Sequence, residues 1–402
     1  MNKSKSANTI HPVIYILAFS LFAMGSAEFL MGGILPMIAT DLHITLPKAG
    51  FLISAFAVGA LIGAPPFAIL TLYWSKRNAL FISQMTFIVS TISSLLAHDY
   101  WLILFSRFVM GLAYACFWAV AAAITIQLVP TDRRAKALSL VVSGLTVAIV
   151  LGGPAGTLIS ELTNWRGGFW VVVVLTTISA IAGFFTLQRK SVNNAPSPNL
   201  KAELRAMKRP ALWIAYSTTA ATTAAYMGIF SYLGALLLSV SGLAANWLPG
   251  VLTLFGIGAF LGLAIGGRTA DSHPFNTLLF GIIGLILVSS AIAIFASHTM
   301  IIIVLVFLLG VFGFLVNPAV WSRVYTIAPD APMLAGATNS SAFQAGLMLS
   351  PLLAGLPISF GYGLSTIGWV GVMIGIVALT LAIIDAHLSH ISGMRKIRSD
   401  LQ

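Results

Sequence analysis

Apolar residues run through this chain in long unbroken stretches. They show neither the two-residue alternation of a half-buried strand nor the narrow stripe of a soluble helix. Twelve stretches can be read, at 12–38, 48–72, 79–97, 101–128, 137–160, 167–186, 211–239, 246–267, 276–296, 299–322, 333–358 and 363–386. Each is close to the ~20 residues that a helix needs to cross a bilayer. The dyad pattern of a membrane β-barrel is absent. The pattern therefore predicts an all-α membrane protein with twelve transmembrane helices. One polar interval stands out. Residues 187–210 are polar, basic and rich in Pro and Asn, with six stretches before them and six after. The expected organisation is an N-terminal six-helix bundle at 1–186, a linker at 187–210 and a C-terminal six-helix bundle at 211–402.

The two halves repeat. At an offset of 199 residues, 51–81 aligns without gaps on 250–280, pairing Phe56 with Phe255, Gly59 with Gly258, Ala60 with Ala259, Gly63 with Gly262 and Phe81 with Phe280. An even number of spans per half gives both halves the same orientation. Parallel six-helix repeats around a midplane cavity are one of the known transporter designs, in which the bundles rock to give alternating access.

Composition agrees: 58% of residues are hydrophobic and 8% charged, too few charges for a soluble domain. Charge then orients the chain. With the N-terminus cytoplasmic, 18 Lys and Arg residues face the cytoplasm, only Lys48 and Arg166 face out, and Arg107 lies within a span. That bias places both termini inside. It also accounts for the net charge of +11. The cations are spread over seven cytoplasmic sites, so a nucleic-acid partner is not expected. The first span has a basic leader, but its apolar run is too long for a signal peptide and no small-residue cleavage site follows cleanly. The single Cys116 excludes a disulfide framework, and the seven His residues have no metal-ligand spacing.

The chemistry concentrates on Glu28, the only acidic residue well inside an apolar stretch. A carboxylate within the bilayer costs several kcal/mol or must be neutral, and such residues mark ion or substrate paths by default. A structural carboxylate bonded between helices is the bland alternative. The equivalent position in the second half is Met227, so a coupling site would belong to the first bundle alone. Arg107 could be a snorkelling cation. It lies about 8 Å from the depth of Glu28 at ~1.5 Å per residue, so a water-linked relay is easier than a direct salt bridge.

Four local patterns resemble the major facilitator superfamily, in its twelve-helix drug:proton antiporter branch. Glu28 stands eight positions before Pro36. Arg107-Phe-Val-Met-Gly111 is similar to the family's R-x-x-x-G. The run from Gly144 through Gly152, Gly153, Pro154 and Gly156 is similar to the antiporter motif built on G-P. Gly267-Arg268-Thr-Ala-Asp271 is similar to the G-x-x-x-D loop. The stretches 50–65, 252–262 and 328–332 resemble the chloramphenicol exporters of that branch, with sugar and nucleoside exporters sharing much of the pattern. The resemblance implies proton coupling through Glu28 and Arg107. It implies a sealing bend at Gly153-Pro154, which on bare physics could be a kink alone. It also implies a cytoplasmic latch of Lys76, Arg77, Gly267, Arg268 and Asp271. Leu72 and Ser75 replace the usual Asp and Gly of the first-half loop, so the latch is expected to rest on the second-half copy.

Candidate cavity residues are Tyr114, Phe117, Trp118, Tyr226, Phe230 and Tyr232, with Asn317 and Asn339 as polar anchors; packing or lipid contact is their alternative role. A mostly apolar pocket of this kind suits a neutral aromatic drug. The expected activity is proton-driven efflux of an amphenicol from the bacterial inner membrane, by a monomer that uses no cofactor and no enzyme chemistry. Export of an arabinose-like sugar or a nucleoside is the alternative. A receptor or scaffold would need a long extramembrane domain, and an ATP-driven pump would need a G-x-x-x-x-G-K-[ST] loop; neither is present in the sequence.

Overall fold

The computed structural model describes residues 11–70, 74–129, 133–187 and 200–400, without the side chains of Ala135, Leu200, Ala202, Asp271 and 389–400. Its helices are α1 (Pro12–Phe29), α2 (Met31–Asp41), α3 (Leu46–Leu70), α4 (Lys76–Leu96), α5 (Tyr100–Leu128), α6 (Arg134–Val147), α7 (Gly153–Leu162), α8 (Trp165–Thr186), α9 (Leu200–Ala206), α10 (Pro210–Ser231), α11 (Leu233–Ser239), α12 (Leu248–Ser272), α13 (Pro274–Phe295), α14 (Thr299–Ile327), α15 (Pro332–Ser359) and α16 (Thr366–Asp400). Among the described residues, twelve helical segments are long and apolar enough to cross a membrane. The face on which α1 begins is called the terminal face below.

The sequence repeat is also a packing repeat. In the first half α3 crosses α5 at a mutual close approach. A Cβ on Gly59 would strike the backbone of Phe108, and one on Gly111 would strike the backbone of Phe56. In the second half α12 crosses α14 in the same way, with Gly258 on the backbone of Phe307 and Gly310 on that of Phe255. All four positions correspond at the 199-residue offset, which extends the repeat well beyond the aligned stretch. Small residues allow this backbone contact, the usual means of joining helices in lipid.

Three expected spans are not simple rods. The first breaks at Leu30 between α1 and α2, and the seventh breaks at Tyr232 between α10 and α11. Pro36 supplies no N–H to the carbonyl of Gly32 and crowds it. That carbonyl and the carbonyl of Gly33 face Gly234, at 2.9 and 3.0 Å from where a Cβ on Gly234 would lie. The two broken helices thus cross glycine on glycine. In the fifth span a π-turn at Ala148–Gly152 joins α6 to α7 just before Pro154. A π-turn absorbs the hydrogen bond that the proline cannot make.

The bundles meet along three seams: α3 on α15, α12 on the π-turn and α7, and α2 on α11. Two hydroxyls bond across the first seam, Ser54 Oγ to the Met348 carbonyl at 2.8 Å and Ser341 Oγ to the Leu61 carbonyl at 2.9 Å. Among the described residues, α5 and α14 form no extensive contact.

The linker is fastened to the second bundle. Helix α9 lies within it, and the buried Glu203 carboxylate accepts from the backbone N–H groups of Met333 (3.3 Å) and Leu334 (2.9 Å). Those N–H groups belong to the first turn of α15 and have no partner inside their own helix. Arg209 then donates to the Ile327 carbonyl and pairs with Asp330 at 2.9 Å.

Candidate functional site at the bundle boundary

Glu28 lies in the last turn of α1, just before the break at Leu30, so the helix end aims it at the other bundle. A narrow cavity with room for about one water molecule is lined there by Glu28, Phe29, Gly32, Ile53, Met227, Phe230, Ser231 and Leu347. Four of these residues come from the first half and four from the second. Glu28 is buried, and its Oε1 has no hydrogen-bond partner.

Arg107 is equally buried, on α5. It makes no ion pair with Glu28 within 4.0 Å. Its Nε donates to the Leu52 carbonyl at 3.3 Å, and its Nη1 to the Ala27 carbonyl at 3.5 Å. The guanidinium lies over the rings of Phe56 and Phe169, 5.3 and 5.4 Å from their centroids. It thus grips the backbone of the residue before Glu28 and leaves the carboxylate itself unpaired.

The glycines of the fifth span form the surface on which α1 lies. A Cβ on Gly144 would meet the carbonyl of Ala18, one on Gly152 Ser26, one on Gly153 Phe29 and one on Gly156 Leu30. The opposite side of the π-turn, at Ile149 and Val150, presses on Gly256 of α12. This span is therefore wedged between the helix of Glu28 and the second bundle.

The other expected residues are scattered. Phe230 lines the cavity and stacks on Phe255 with centroids 4.5 Å apart. Tyr114 is buried against Phe56, Phe117 is fully buried, and Trp118 is half-buried one position on. Tyr232 donates to the Pro351 carbonyl at 2.8 Å, a packing role. Tyr226 packs on Phe314. Asn317 is half-buried, and Asn339 accepts from Thr219 at 2.7 Å. The latch residues are not gathered. Arg77 donates to the Phe184 carbonyl and covers its ring within the first bundle, beside the half-buried Lys76. Gly267 has open space around it, and Arg268 is exposed. Leu72 and the Asp271 side chain lie outside the described residues.

Two polar nodes escaped the sequence reading. On the face away from the termini, Asp41 accepts from Trp165 Nε1 and from Arg166 Nη1, both at 2.8 Å, while Arg166 also reaches the carbonyls of Leu95 and Ala97. Those bonds hold the Asp41 carboxyl below the ordinary aspartate range, the Trp165 bond most. On the terminal side, Arg323 and Asp385 form a bidentate pair at 2.6 and 3.0 Å. The only signal for either lay in opposite charges at span ends.

A family model described as Major Facilitator Superfamily matches residues 17–351. The chain belongs to the major facilitator superfamily. It is therefore a transporter and not an enzyme. A chloramphenicol resistance protein of Streptomyces lividans is 33% identical over 373 residues, covering 92% of this chain and 95% of that protein. The inner membrane transport protein YdhP of Escherichia coli (strain K12) is 30% identical over 371 residues, with coverage of 92% and 95%. A bacterial homolog of the human lysosomal transporter Spinster, solved in an inward-facing and unoccupied conformation, superposes with a TM-score of 0.67 at 15% identity, covering 94% of this chain and 96% of that one. This last likeness supports the facilitator fold alone.

Proposed function

We propose that this transporter exports a small uncharged aromatic drug of the chloramphenicol type, driven by proton uptake at Glu28. The observation that carries the reading is the unpaired Glu28 carboxylate, buried where both bundles meet. A carboxylate with no fixed partner can take a proton in one state of the molecule and release it in the other. Rocking of the bundles changes what faces it, which links protonation to access. Arg107 holds the helix backbone beside it and supplies the nearby positive charge. The Streptomyces relative supports an amphenicol as the drug. The Escherichia coli relative, an inner membrane transport protein, supports a bacterial inner membrane location, and the charge asymmetry supports a terminal face in the cytoplasm. The bundle boundary is complete in one chain, which supports a monomer.

Export of a sugar or nucleoside is the second reading. It is favoured by the hydroxyl and amide side chains on α10 and α15 around Thr219, Asn339 and Gln344. The test is the inhibitory concentration of chloramphenicol in an efflux-deficient host with and without expression, beside arabinose and a purine nucleoside analogue. A rise for chloramphenicol that disappears when the proton-motive force is dissipated is the expected result. A shift for either of the others alone moves the substrate to the second reading.

A further inference from the structure

The cavity beside Glu28 lies where the sequence repeat meets itself. At the 199-residue offset Glu28 corresponds to Met227, and Gly32 corresponds to Ser231. All four residues line the cavity, so equivalent positions of the two halves face each other across it. The first half contributes an acid where the second has Met227. The second contributes a hydroxyl where the first has Gly32. Of the lining residues, only Glu28 and Ser231 have polar side chains; Phe29, Ile53, Met227, Phe230 and Leu347 complete an apolar wall.

Other candidate partners for the acid are engaged elsewhere or lie outside the cavity. Arg107 on α5 directs its Nε and Nη1 at backbone carbonyls. Tyr114 on α5 and Tyr226 on α10 are near enough to feel the charge of Glu28, but neither lines the cavity. Helices α2, α3 and α15 bring no titratable side chain to it.

Ser231 is placed to serve both protonation states of the acid. It is buried in the last turn of α10, and its Oγ donates to the Met227 carbonyl at 2.7 Å. With its hydrogen engaged there, the oxygen keeps its lone pairs as acceptors. Ser350 Oγ on α15 lies 3.4 Å from it, outside the cavity lining, and donates to the Leu347 carbonyl at 2.9 Å. Rotation about one side-chain bond takes the Ser231 hydrogen off Met227, whose carbonyl keeps its helical N–H partner. A buried water needs at least two polar partners. Glu28 and Ser231 supply two, around a space that fits one water.

We infer that Ser231 is the second bundle's hydrogen-bond partner for Glu28, joined to it through a single water. In the protonated state the Glu28 O–H donates to the water, and the water donates to Ser231 Oγ. In the ionised state the order reverses: Ser231 donates to the water, and the water donates to the carboxylate. No proton passes to the serine. Its hydroxyl is a positioning group through which one bundle registers the charge state of the other. This rests on the proton-coupling reading above and adds the partner.

The test is infrared spectroscopy of the purified full chain in nanodiscs. The C=O band of protonated Glu28 is assigned by its loss in Glu28→Gln. In Ser231→Ala the water has one polar partner left and is not held. The band should then move to the higher frequency of a carboxyl that donates no hydrogen bond. Ser350→Ala disturbs the same contact between α10 and α15 without touching the cavity lining, and should leave the band in place. An unmoved band in Ser231→Ala overturns the pair. So does an equal move in Ser350→Ala, the mark of a loosened helix contact. Absence of any band sensitive to Glu28→Gln, even at low pH, overturns the pair together with the coupling reading. A band that moves as expected, in a chain that gives no chloramphenicol resistance, supports the pair and removes only the drug reading.

Discussion

At the scale of single residues, the boundary site is an acid without a partner and a base without an acid. Glu28→Gln imitates the protonated form and should abolish pH-gradient-driven uphill export in vesicles, whereas Glu28→Asp should keep part of it. Uphill transport by Glu28→Gln at the wild-type rate would remove the coupling assignment. Arg107→Lys should also lose most export although the charge is kept. The guanidinium spans carbonyls of two helices and lies over two rings, and an ammonium cannot do both. Asp41 gives a pH prediction of known sign. Its carboxyl is held below the ordinary aspartate value of 3.8 by Trp165 and then Arg166. That contribution is present above 3.8 and is lost only as pH falls through the lower folded value. Trp165 fluorescence should stay native at pH 4 and change below that, with the change moved upward in Arg166→Gln. Glu28 and Arg107 were legible in the sequence because a charge within an apolar run is visible without a structure. Ser231 was not, because neutral polar residues are common in spans and only the cavity shows which of them faces Glu28.

At the scale of elements, glycine and proline decide how the helices meet. Gly59→Val and Gly258→Val drive a side chain into a backbone in equivalent places, so each should lower stability by about 1–3 kcal/mol or more. Their similarity, measured as melting temperature in detergent, tests whether the halves are locked alike. A large loss in one and none in the other would contradict the packing repeat. Glu203→Ala should cost about 1 kcal/mol, the worth of a helix cap, and should expose Arg205 and Lys208 to faster cleavage by trypsin. The twelve spans were readable to within a few residues because hydropathy alone sets their length. The breaks at Leu30 and Tyr232 were not. They follow from contacts between Gly32, Gly33 and Gly234, which lie in different halves of the chain.

At the scale of the whole molecule, three seams join the two bundles. In a Cys116→Ser background, Asn317→Cys should react with a water-soluble thiol reagent and Ile53→Cys should not. Equal labelling of the two would mean that the bundles do not meet at Ile53 as described. The twofold architecture was legible from the repeat and the polar interval at 187–210. The way the bundles lean on each other was not, since tilt depends on side chains that meet only after both halves have formed. The reciprocal glycine crossings also bear on where this gene can change length. A residue inserted into α5 ahead of Gly111 would turn that glycine by about 100° and present a bulkier neighbour to Phe56. The same holds for α14 ahead of Gly310. Both halves have kept their crossings at a single offset of 199 positions. Insertions and deletions between the crossing points have thus balanced out, and freedom to lengthen or shorten the chain belongs to segments outside them.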